Sequence, residues 1–405
     1  MASSINASTS GGGGIITTAD SSGNLDIQSG GSTVVAVTST GASVTGTLAA
    51  TGAVTLTGSL NTPNTFGFKN RIINGGMVID QRNAGASVSM TTPVYPVDRW
   101  LAFEDTDGTM TAQQSSTAPS GFTNSILITT TSADTSLGAT QYARTEQRVE
   151  GFNVSDLAWG TASAASVTLS FWVRSSLTGT FGGSLTNSAF NRSYPFTYTI
   201  SVANTFEQKT ITIAGDTSGT WLTTNGNGME INFGLGVGST YSGTAGAWAG
   251  AGYISATGAT SVVGTNGATF YITGVQLEKG STATSFDFRD YGRELAMCQR
   301  YYYRVTTGDY QISHWYSTTT SLSNLTFPVT MRTAPAALEQ NGTAADYSVL
   351  SAGSAYAANA VPTFERASSW FAQTRITVAS GLTAGYSGFN RASGSTAYFG
   401  WSAEL

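Results

Sequence analysis

Aromatic residues set among small residues are the strongest candidates for binding chemistry in this chain. The stretch YSGTAGAWAGAGY places Tyr241, Trp248 and Tyr253 between glycines, alanines and serines. An exposed ring in such a setting can stack on the apolar face of a sugar while nearby amides and hydroxyls bond its hydroxyl groups. The same rings could instead pack against a partner chain or close the end of a β-sandwich. The sequence leaves both interpretations open.

A second aromatic set lies in the last hundred residues. Its members are Trp315, Tyr316, Trp370, Phe371, Tyr386 and Phe389. In ISHWYS, strand alternation predicts Ile312 and His314 on one face and Trp315 on the other, so at most one face is a core. We interpret this region as the second candidate ligand surface. Its candidate ligand-binding residues are Trp315, Trp370 and Tyr386.

Catalytic signatures are weak. His314 is the only histidine, and no Gly-x-Ser-x-Gly motif accompanies it, so a serine–histidine–aspartate triad is not predicted. Two carboxylates about 5–10 Å apart can cleave a polysaccharide. The candidate acids are Asp134, Glu146, Glu150, Asp156, Glu207, Asp216 and Glu230. They are scattered along the sequence, so we predict no enzyme and no cofactor, while a pair that meets in space keeps cleavage as an alternative.

One acidic cluster, Glu104–Gly108, is similar to a short calcium-binding loop, since clustered carboxylates suit a hard cation. It lacks the further ligands of an EF-hand, and an acidic β-turn after a strand that ends at Phe103 explains it equally well. Cys298 is the sole cysteine, which excludes an intramolecular disulfide and a zinc cluster built on several cysteines. No metal site is predicted.

Composition narrows the classes of function. Charged residues make up 10% of the 405 residues, against roughly 25% in a typical soluble domain, so the predicted surface is rich in hydroxyl and amide groups. The net charge is −5, and the absence of a dense basic patch argues against nucleic-acid binding. No stretch approaches about 18 apolar residues and the N-terminus is no secretory signal, so we expect neither membrane insertion nor signal-directed secretion.

Hydrophobic patterning predicts an all-β protein. VTLSFWV at 167–173 alternates, with Leu169 and Phe171 on one face and Trp172 on the other, and further alternating segments follow. They are 197–202, 209–213, 268–275, 311–316, 326–329, 375–378 and 398–401. Glycine- and asparagine-rich turns between them favour an antiparallel β-sandwich or jelly roll. One helix is predicted at Tyr291–Arg300, with Leu295 and Cys298 on one face.

The segment Ser32–Leu60 carries a glycine-punctuated repeat of strands too short to bury a face alone. Such strands need neighbours, and copies of the same chain are the nearest ones, so we predict a trimeric β-stalk. The predicted organisation is a leader at 1–32, a stalk at 33–64, a β-sandwich head at 65–296 and a smaller C-terminal β-domain at 297–405.

Several motifs resemble bacteriophage fibre proteins with lectin-like β-sandwich heads. They are NRIINGGMVIDQRNAG (70–85), VDRW (97–100), VTLSFWVRSS (167–176), FYITGVQLEKGSTATSFDFRDYGRELAMCQRYYYRV (270–305), FPVTMRTAPA (327–336) and FGWSAEL (399–405). The leader and stalk are similar to the N-terminal parts of many phage fibre chains. Residues 109–166 and 178–269 match no motif of the group.

The resemblance implies a homotrimer on the exterior of the virion, assembled in the host cytoplasm. Residues 1–32 would attach it to other virion proteins, and the head or tip would bind a host-surface glycan or protein. The resemblance transfers no ligand residues, because the matching motifs are core and connecting elements. Two alternatives stay open: a capsid-decorating or baseplate fibre with a structural role, and a polysaccharide depolymerase.

Overall fold

The computed structural model describes residues 3–7, 15–18, 24–39, 41–45, 69–351 and 353–405. Two compact units divide the chain, Met1–Thr62 and Pro63–Leu405. The described residues form mostly antiparallel β-sheets, which confirms the predicted all-β class. Within these residues, no helix has the length and apolar character needed to cross a membrane.

The first unit contains one five-stranded sheet. Its strands are β1 (Ser3–Ala7), β2 (Ile15–Thr18), β3 (Leu25–Ser29), β4 (Ser32–Thr38) and β5 (Gly41–Val44). They pair in the order β2-β1-β3-β4-β5, with β1 and β3 parallel. Ile27, Val37 and Val44 are 40%, 38% and 39% exposed, so this sheet leaves apolar side chains uncovered. The rest of the predicted stalk, residues 46–64, lies outside the described residues.

The second unit begins with a β-sandwich. Its strands are β6 (Val88–Ser89), β7 (Val94–Val97), β8 (Trp100–Asp105), β9 (Thr109–Ser115), β10 (Ser125–Ser132), β11 (Tyr142–Glu150), β12 (Val167–Ser175), β13 (Gly179–Thr186), β14 (Ser193–Ile200), β15 (Glu207–Ile213), β16 (Asn227–Val237), β17 (Ser242–Gly243), β18 (Ser255–Ala256) and β19 (Thr269–Lys279). Single 3-10 turns follow β11 at Gly151–Asn153 and Ser155–Leu157.

Two six-stranded sheets face each other in this sandwich. We call β14-β13-β16-β11-β8-β7 the front sheet and β15-β12-β19-β10-β9-β6 the back sheet. Alternating residues of both sheets fill the core, as predicted for residues 167–173: Phe171 is fully buried, and its ring lies 5.0 Å from those of Tyr198 and Phe233 in edge contacts. Trp172 points to the other face of the back sheet, where it is half-buried.

A helix and a second β-region follow the sandwich. The elements are α1 (Tyr291–Gln299), β20 (Tyr302–Thr306), β21 (Tyr310–Trp315), β22 (Thr320–Thr326), a 3-10 turn at Ala344–Asp346, β23 (Tyr347–Ser351), β24 (Ser354–Ala357), β25 (Thr363–Ala367), β26 (Phe371–Thr377), β27 (Ser387–Ala392) and β28 (Tyr398–Ser402). The predicted helix is confirmed, and the Asp290 side chain caps it by accepting a hydrogen bond from the Arg293 amide.

Seven of these strands form one sheet in the order β24-β23-β27-β21-β22-β26-β25, while β20 pairs with β28. The predicted strand at 326–329 is wrong: β22 ends at Thr326, and Pro328 has no N–H to donate to a strand ladder. Trp401, Phe399 and Tyr347 are buried in a separate hydrophobic core. The predicted domain boundary at 296/297 falls inside α1 and stays a prediction.

Salt bridges tie the two β-regions of this unit together. Arg300 donates to the Glu150 carboxylate at 2.6 Å, and Arg99 pairs with Glu404 although both are almost fully buried. Arg148 also donates to the backbone carbonyl of Leu405 at 2.6 Å. Removing one partner of such a buried pair leaves an uncompensated charge, so these contacts fix the orientation of the second β-region on the sandwich.

Candidate functional site

The outer face of the front sheet carries a row of charged side chains. In β11 and β16, Val149 and Phe233 face the core, and alternation turns Arg148 and Glu230 outward. These two residues lie directly opposite each other in the antiparallel register. Cross-strand neighbours of opposite charge stabilise such a pair, and the register therefore concentrates polar chemistry at the middle of the sheet.

A loop lies on this outer face and closes one side of it. A Cβ atom added to Gly182 or Gly234 would collide with Ser255, the first residue of β18. The two glycines therefore let β18 lie directly on the sheet. The same loop carries Tyr241 to the sheet surface, where its amide donates to the Gly238 carbonyl at 3.1 Å and its carbonyl accepts from the Ile254 amide at 2.7 Å.

A cleft of about 260 Å³ opens between the sheet and the loop. It is lined by Tyr142, Arg144, Phe190, Glu230, Tyr241 and Ile254. The cleft combines aromatic rings with one guanidinium and one carboxylate, which is the mixture of apolar surface and few polar groups that binds small ligands. Its volume suits one or two sugar rings rather than a long ligand, since drug-sized sites begin near about 300 Å³.

Four aromatic rings form a continuous row, and three of them, those of Tyr142, Tyr241 and Phe190, line the cleft. Phe103 contacts Tyr142 with ring centroids 5.8 Å apart, and Tyr142 contacts Tyr241 at 5.4 Å. Phe190 follows at 6.0 Å from Tyr241. Phe190 also has a positive φ of 50°, which is unusual for a bulky residue and is often found where a side chain serves a function.

The floor of the cleft is a network of ion pairs. The Nε atom of Arg148 lies 3.0 Å from Glu146 Oε1 and 3.6 Å from Glu230 Oε1. Arg144 contacts the other oxygen of Glu146 at 2.9 Å and donates to Asn232 Oδ1 at 3.0 Å. Two guanidinium groups thus hold two carboxylates, and the floor carries no net charge.

Burial distinguishes the two carboxylates. Glu146 is fully buried, whereas Glu230 is 7% exposed and lines the cleft. Burial raises the pKa of Glu146, although Arg144 and Arg148 oppose the shift and the charge of Glu230 adds to it. Of the two carboxylates, only Glu230 lines the cleft and can accept a hydrogen bond from a ligand there.

Neighbouring polar residues hold Glu230 in place. Its Oε2 atom accepts from Thr186 at 3.1 Å and its Oε1 atom from Asn227 at 2.7 Å. Ser184, on the same face of β13, is fully buried and its Oγ atom has no hydrogen-bond partner among the described residues. Buried polar atoms are nearly always paired, so this floor retains capacity for a further hydrogen bond.

The aromatic residues singled out in 241–253 lie in different places. Tyr241 lines the cleft. Trp248 instead packs edge to face against Trp159 and Trp221, with centroids 5.3 and 5.5 Å apart, and donates its indole N–H to the Ala214 carbonyl at 2.8 Å. Tyr253 is half-buried, and its ring lies over Gly243.

The candidate residues of the second β-region also separate. Trp315 is 4% exposed and belongs to the hydrophobic core, while Trp370 and Tyr386 are 59% and 65% exposed. The Tyr386 ring lies 6.2 Å from Trp315, and the Trp370 ring lies 5.8 Å from Phe371. No ring contact between described residues joins Trp370 to Tyr386. As alternation predicts, His314 is exposed on the face opposite Trp315.

Sequence reasoning missed several residues of the cleft. Tyr142, Arg144 and Phe190 were not candidates, and Glu230 was one of several scattered acids. A usable signal lies in YARTEQRVE at 142–150, where Arg144, Glu146 and Arg148 alternate with residues of the core. Alternating opposite charges on one face of a strand indicate a polar network on a sheet surface.

The acidic cluster at Glu104–Gly108 forms a turn. Glu104 Oε2 accepts from the Thr106 hydroxyl at 2.7 Å and from its amide at 3.1 Å, and the Thr106 hydroxyl accepts from the Gly108 amide. Such local hydrogen bonds are the ones expected of an acidic β-turn. Within the described residues, no group of three or more histidine, cysteine or acidic side chains could hold a metal ion.

No protein-family model and no curated protein matches this chain. Among solved structures, it is similar to the enzymatically active domain of tailspike protein 4 of bacteriophage CBA120, at 15% identity and a TM-score of 0.27, covering 52% of this chain and 21% of that one. It is also similar to the family 11 carbohydrate-binding module of Clostridium thermocellum in complex with a β-1,3-1,4-mixed-linked tetrasaccharide. The identity is 11% and the TM-score is 0.25, and the match covers 50% of this chain and 100% of that one.

A third similar structure is a family 61 carbohydrate-binding module in complex with β-1,4-galactotriose, at 10% identity and a TM-score of 0.27, covering 52% of this chain and 99% of that one. Each match spans about half of this chain. The chain in turn spans about a fifth of the tailspike domain.

Proposed function

We propose that the cleft of the front sheet binds a neutral glycan. The observation that carries this proposal is the aromatic wall of Tyr142, Tyr241 and Phe190 beside an ion-paired floor. A sugar ring presents an apolar face that stacks on aromatic rings and hydroxyl groups that pair with a guanidinium and a carboxylate. Arg144 supplies the donor and Glu230 the acceptor.

The charge balance of the floor favours a neutral sugar. Arg144 and Arg148 are matched by Glu146 and Glu230 through contacts of 2.9 to 3.6 Å. An acidic sugar would bring a negative charge beside Glu230 without an unpaired cation to receive it, and desolvating an unmatched charge is costly. Sugar hydroxyls can pair with these groups without disturbing that balance.

The proposed activity is binding without cleavage. Glycoside hydrolysis needs two carboxylates that both reach the scissile bond or its attacking water. Glu146 and Glu230 lie close together, but Glu146 is fully buried and both of its oxygens are engaged by arginines. Release of reducing ends from a glycan that the protein binds, lost in Glu230→Gln, would instead support the depolymerase alternative.

The proposed carrier of this site is a homotrimeric fibre on the exterior of a bacteriophage, adsorbing to the host surface. The apolar side chains left exposed on β3, β4 and β5 support association of copies, and the motif resemblance supports the fibre. Several weak sites on one particle would bind a glycan-coated cell with useful avidity. A capsid-decorating or baseplate fibre is the structural alternative, and imaging the N-terminal residues on the virion separates the two.

A glycan array tests the binding proposal. The full chain, Tyr241→Ala and Phe152→Ala would be applied to neutral and acidic bacterial-surface glycans. Phe152 is 59% exposed and does not line the cleft, so its variant is a matched loss of an aromatic ring. We expect neutral glycans to be bound by the full chain and Phe152→Ala but not by Tyr241→Ala. Equal binding by all three proteins would place the site elsewhere.

A further inference from the structure

An apolar surface lies on the sandwich away from the front-sheet cleft. Phe122, Phe286 and Phe288 contact one another with ring centroids 4.8 to 5.3 Å apart. A cavity of about 210 Å³ opens beside them, floored in part by Gly75 and Gly76. We call these three rings and the cavity the phenylalanine surface.

One ring of this surface and a tyrosine that follows it in the sequence are open to solvent. Phe288 is 65% exposed, and Tyr291, at the start of α1, is 63% exposed. Single exposed apolar residues are ordinary on protein surfaces, but a contiguous cluster beside a cavity is typical of an interaction site. Phenylalanine offers no hydrogen-bonding group, so this surface fits an apolar protein contact better than a sugar.

The phenylalanine surface lies beside the first described residue of the second unit. Lys69 is the first described residue after 46–68, and its ammonium group donates to the backbone carbonyl of Ser285. Ser285 directly precedes Phe286 in the sequence. The described part of the second unit therefore begins beside this apolar surface.

The N-terminal sheet supplies the reason to expect a second copy nearby. Ile27, Val37 and Val44 remain about two-fifths exposed on it, so copies that associate there bury apolar area. Association at one end of a tether raises the effective concentration of the other end and converts a weak contact there into an intramolecular one. A contact between the sandwiches of associated copies gains from this effect.

Charges around the phenylalanine surface allow two copies to meet. Arg289 lies 3.3 Å from Glu294 and 3.9 Å from Asp287, and Asp290 caps α1 beside Arg293. The Lys69 ammonium group at the Ser285 carbonyl brings the cations to three against three carboxylates, so like surfaces of the trimer can meet around a threefold axis without a net charge. An apolar centre with a polar rim of this kind is the usual anatomy of a protein interface.

We infer that the phenylalanine surface is a contact between copies of this chain, with Phe288 at its centre. The inference rests on the homo-oligomer of the proposed function. It assigns to the sandwich a role in assembly that is separate from the glycan cleft, since none of its residues lines that cleft.

Site-specific cross-linking of the full chain tests the inference. Phe288→Cys would be compared with Val202→Cys, because Val202 is 56% exposed and does not line the surface. The only native cysteine, Cys298, is fully buried and serves as the internal background. After treatment with a short bis-maleimide, we expect about tenfold more covalent oligomer from Phe288→Cys than from Val202→Cys, reflecting the raised local concentration.

Native mass spectrometry of the untreated chain separates the outcomes. A monomeric mass would overturn the oligomer and the inference with it. An oligomeric mass with equal cross-linking of the two variants would overturn the inference alone and leave the oligomer standing. Glycan binding by the cleft is measured separately and is expected to be unchanged in Phe288→Cys.

Discussion

Tyr142 and Tyr241 meet edge to face, with ring centroids 5.4 Å apart. Tyr142 belongs to β11, and Tyr241 belongs to the loop that lies across the front sheet. The contact joins a rigid strand to a loop, which is how binding residues are commonly positioned on β-scaffolds. It makes the two rings one surface, so the loss of either ring changes the cleft.

Two substitutions of Tyr142 distinguish the contribution of its ring to glycan affinity from that of its hydroxyl group. Tyr142→Phe keeps the edge-to-face contact, so we expect glycan affinity to change by less than about threefold. Tyr142→Ala removes the ring, which is worth about 0.5–1.5 kcal/mol beyond its buried area, and we expect a loss of about tenfold. Isothermal titration calorimetry with a glycan that the array has identified as a ligand measures the affinities of both variants. Equal affinities for Ala and Phe variants would exclude stacking on this ring.

Substitution of Glu230 tests the polar floor. Glu230→Gln keeps the size of the side chain but removes the charged acceptor that faces the cleft. Hydrogen bonds to charged groups contribute about 1.5–3 kcal/mol, so we expect affinity to fall by about tenfold or more. Glu365→Gln is the matched control, because Glu365 forms a surface ion pair with Arg375 outside the cleft. A similar loss in both variants would contradict a specific role of Glu230.

Trp248 is expected to affect stability instead of binding. Its ring packs against two other tryptophans and its indole N–H is paired, so Trp248→Ala removes packing and one hydrogen bond. We expect the free energy of unfolding in urea to fall by about 2–4 kcal/mol. Trp370→Ala, at a 59% exposed position, should change it by less than about 0.5 kcal/mol. If Trp248→Ala kept its stability but no longer bound glycan, Trp248 would be a ligand-binding residue and this prediction would be wrong.

The raised pKa of Asp98 leads us to expect that the stability of the fold depends on pH. Burial raises its pKa from 3.8 to about 6, against the opposing effects of Arg82 and the Gln81 hydrogen bonds. Because the pKa is higher in the folded state, the stability contributed by this group is fully present below pH 3.8 and is lost as the pH rises through about 6. By the conversion of about 1.36 kcal/mol per pKa unit, the loss is about 3 kcal/mol.

Asp98→Asn is expected to remove this part of the slope. Its overall stability should be lower, since Arg82 lies 3.9 Å from Asp98 and loses a counter-charge. Urea unfolding of both proteins across pH 3.8 to 6 gives the difference curve. A difference that stays constant over this range would show that Asp98 is not the titrating group.

The fold class followed from local patterns, and the cleft did not. Alternation at 167–173 placed Phe171 in the core correctly because side-chain direction in a strand depends only on parity. The pairing of Arg148 with Glu230 depends on the register of β11 against β16, which is a non-local property. Glu146 and Glu230 lie far apart in the sequence, and no local pattern predicts that both will form ion pairs with Arg148.

The loop 241–253 shows the same limit at a single residue. Tyr241 and Trp248 have similar glycine- and alanine-rich surroundings, so the sequence treats them alike. In the structure they lie in different places: Trp248 packs against Trp159 and Trp221, while Tyr241 packs against Tyr142 on the sheet. Both partners come from distant strands and loops, and only the assembled sandwich brings them near.

A crystal structure of the protein with a neutral glycan selected on the array tests the central claim most directly. The account predicts a sugar ring stacked on Tyr241 or Phe190, with its hydroxyl groups bonded to Arg144 and Glu230. A sugar bound instead at Trp370 or Tyr386 in the second β-region, with the front-sheet cleft unoccupied, would contradict it.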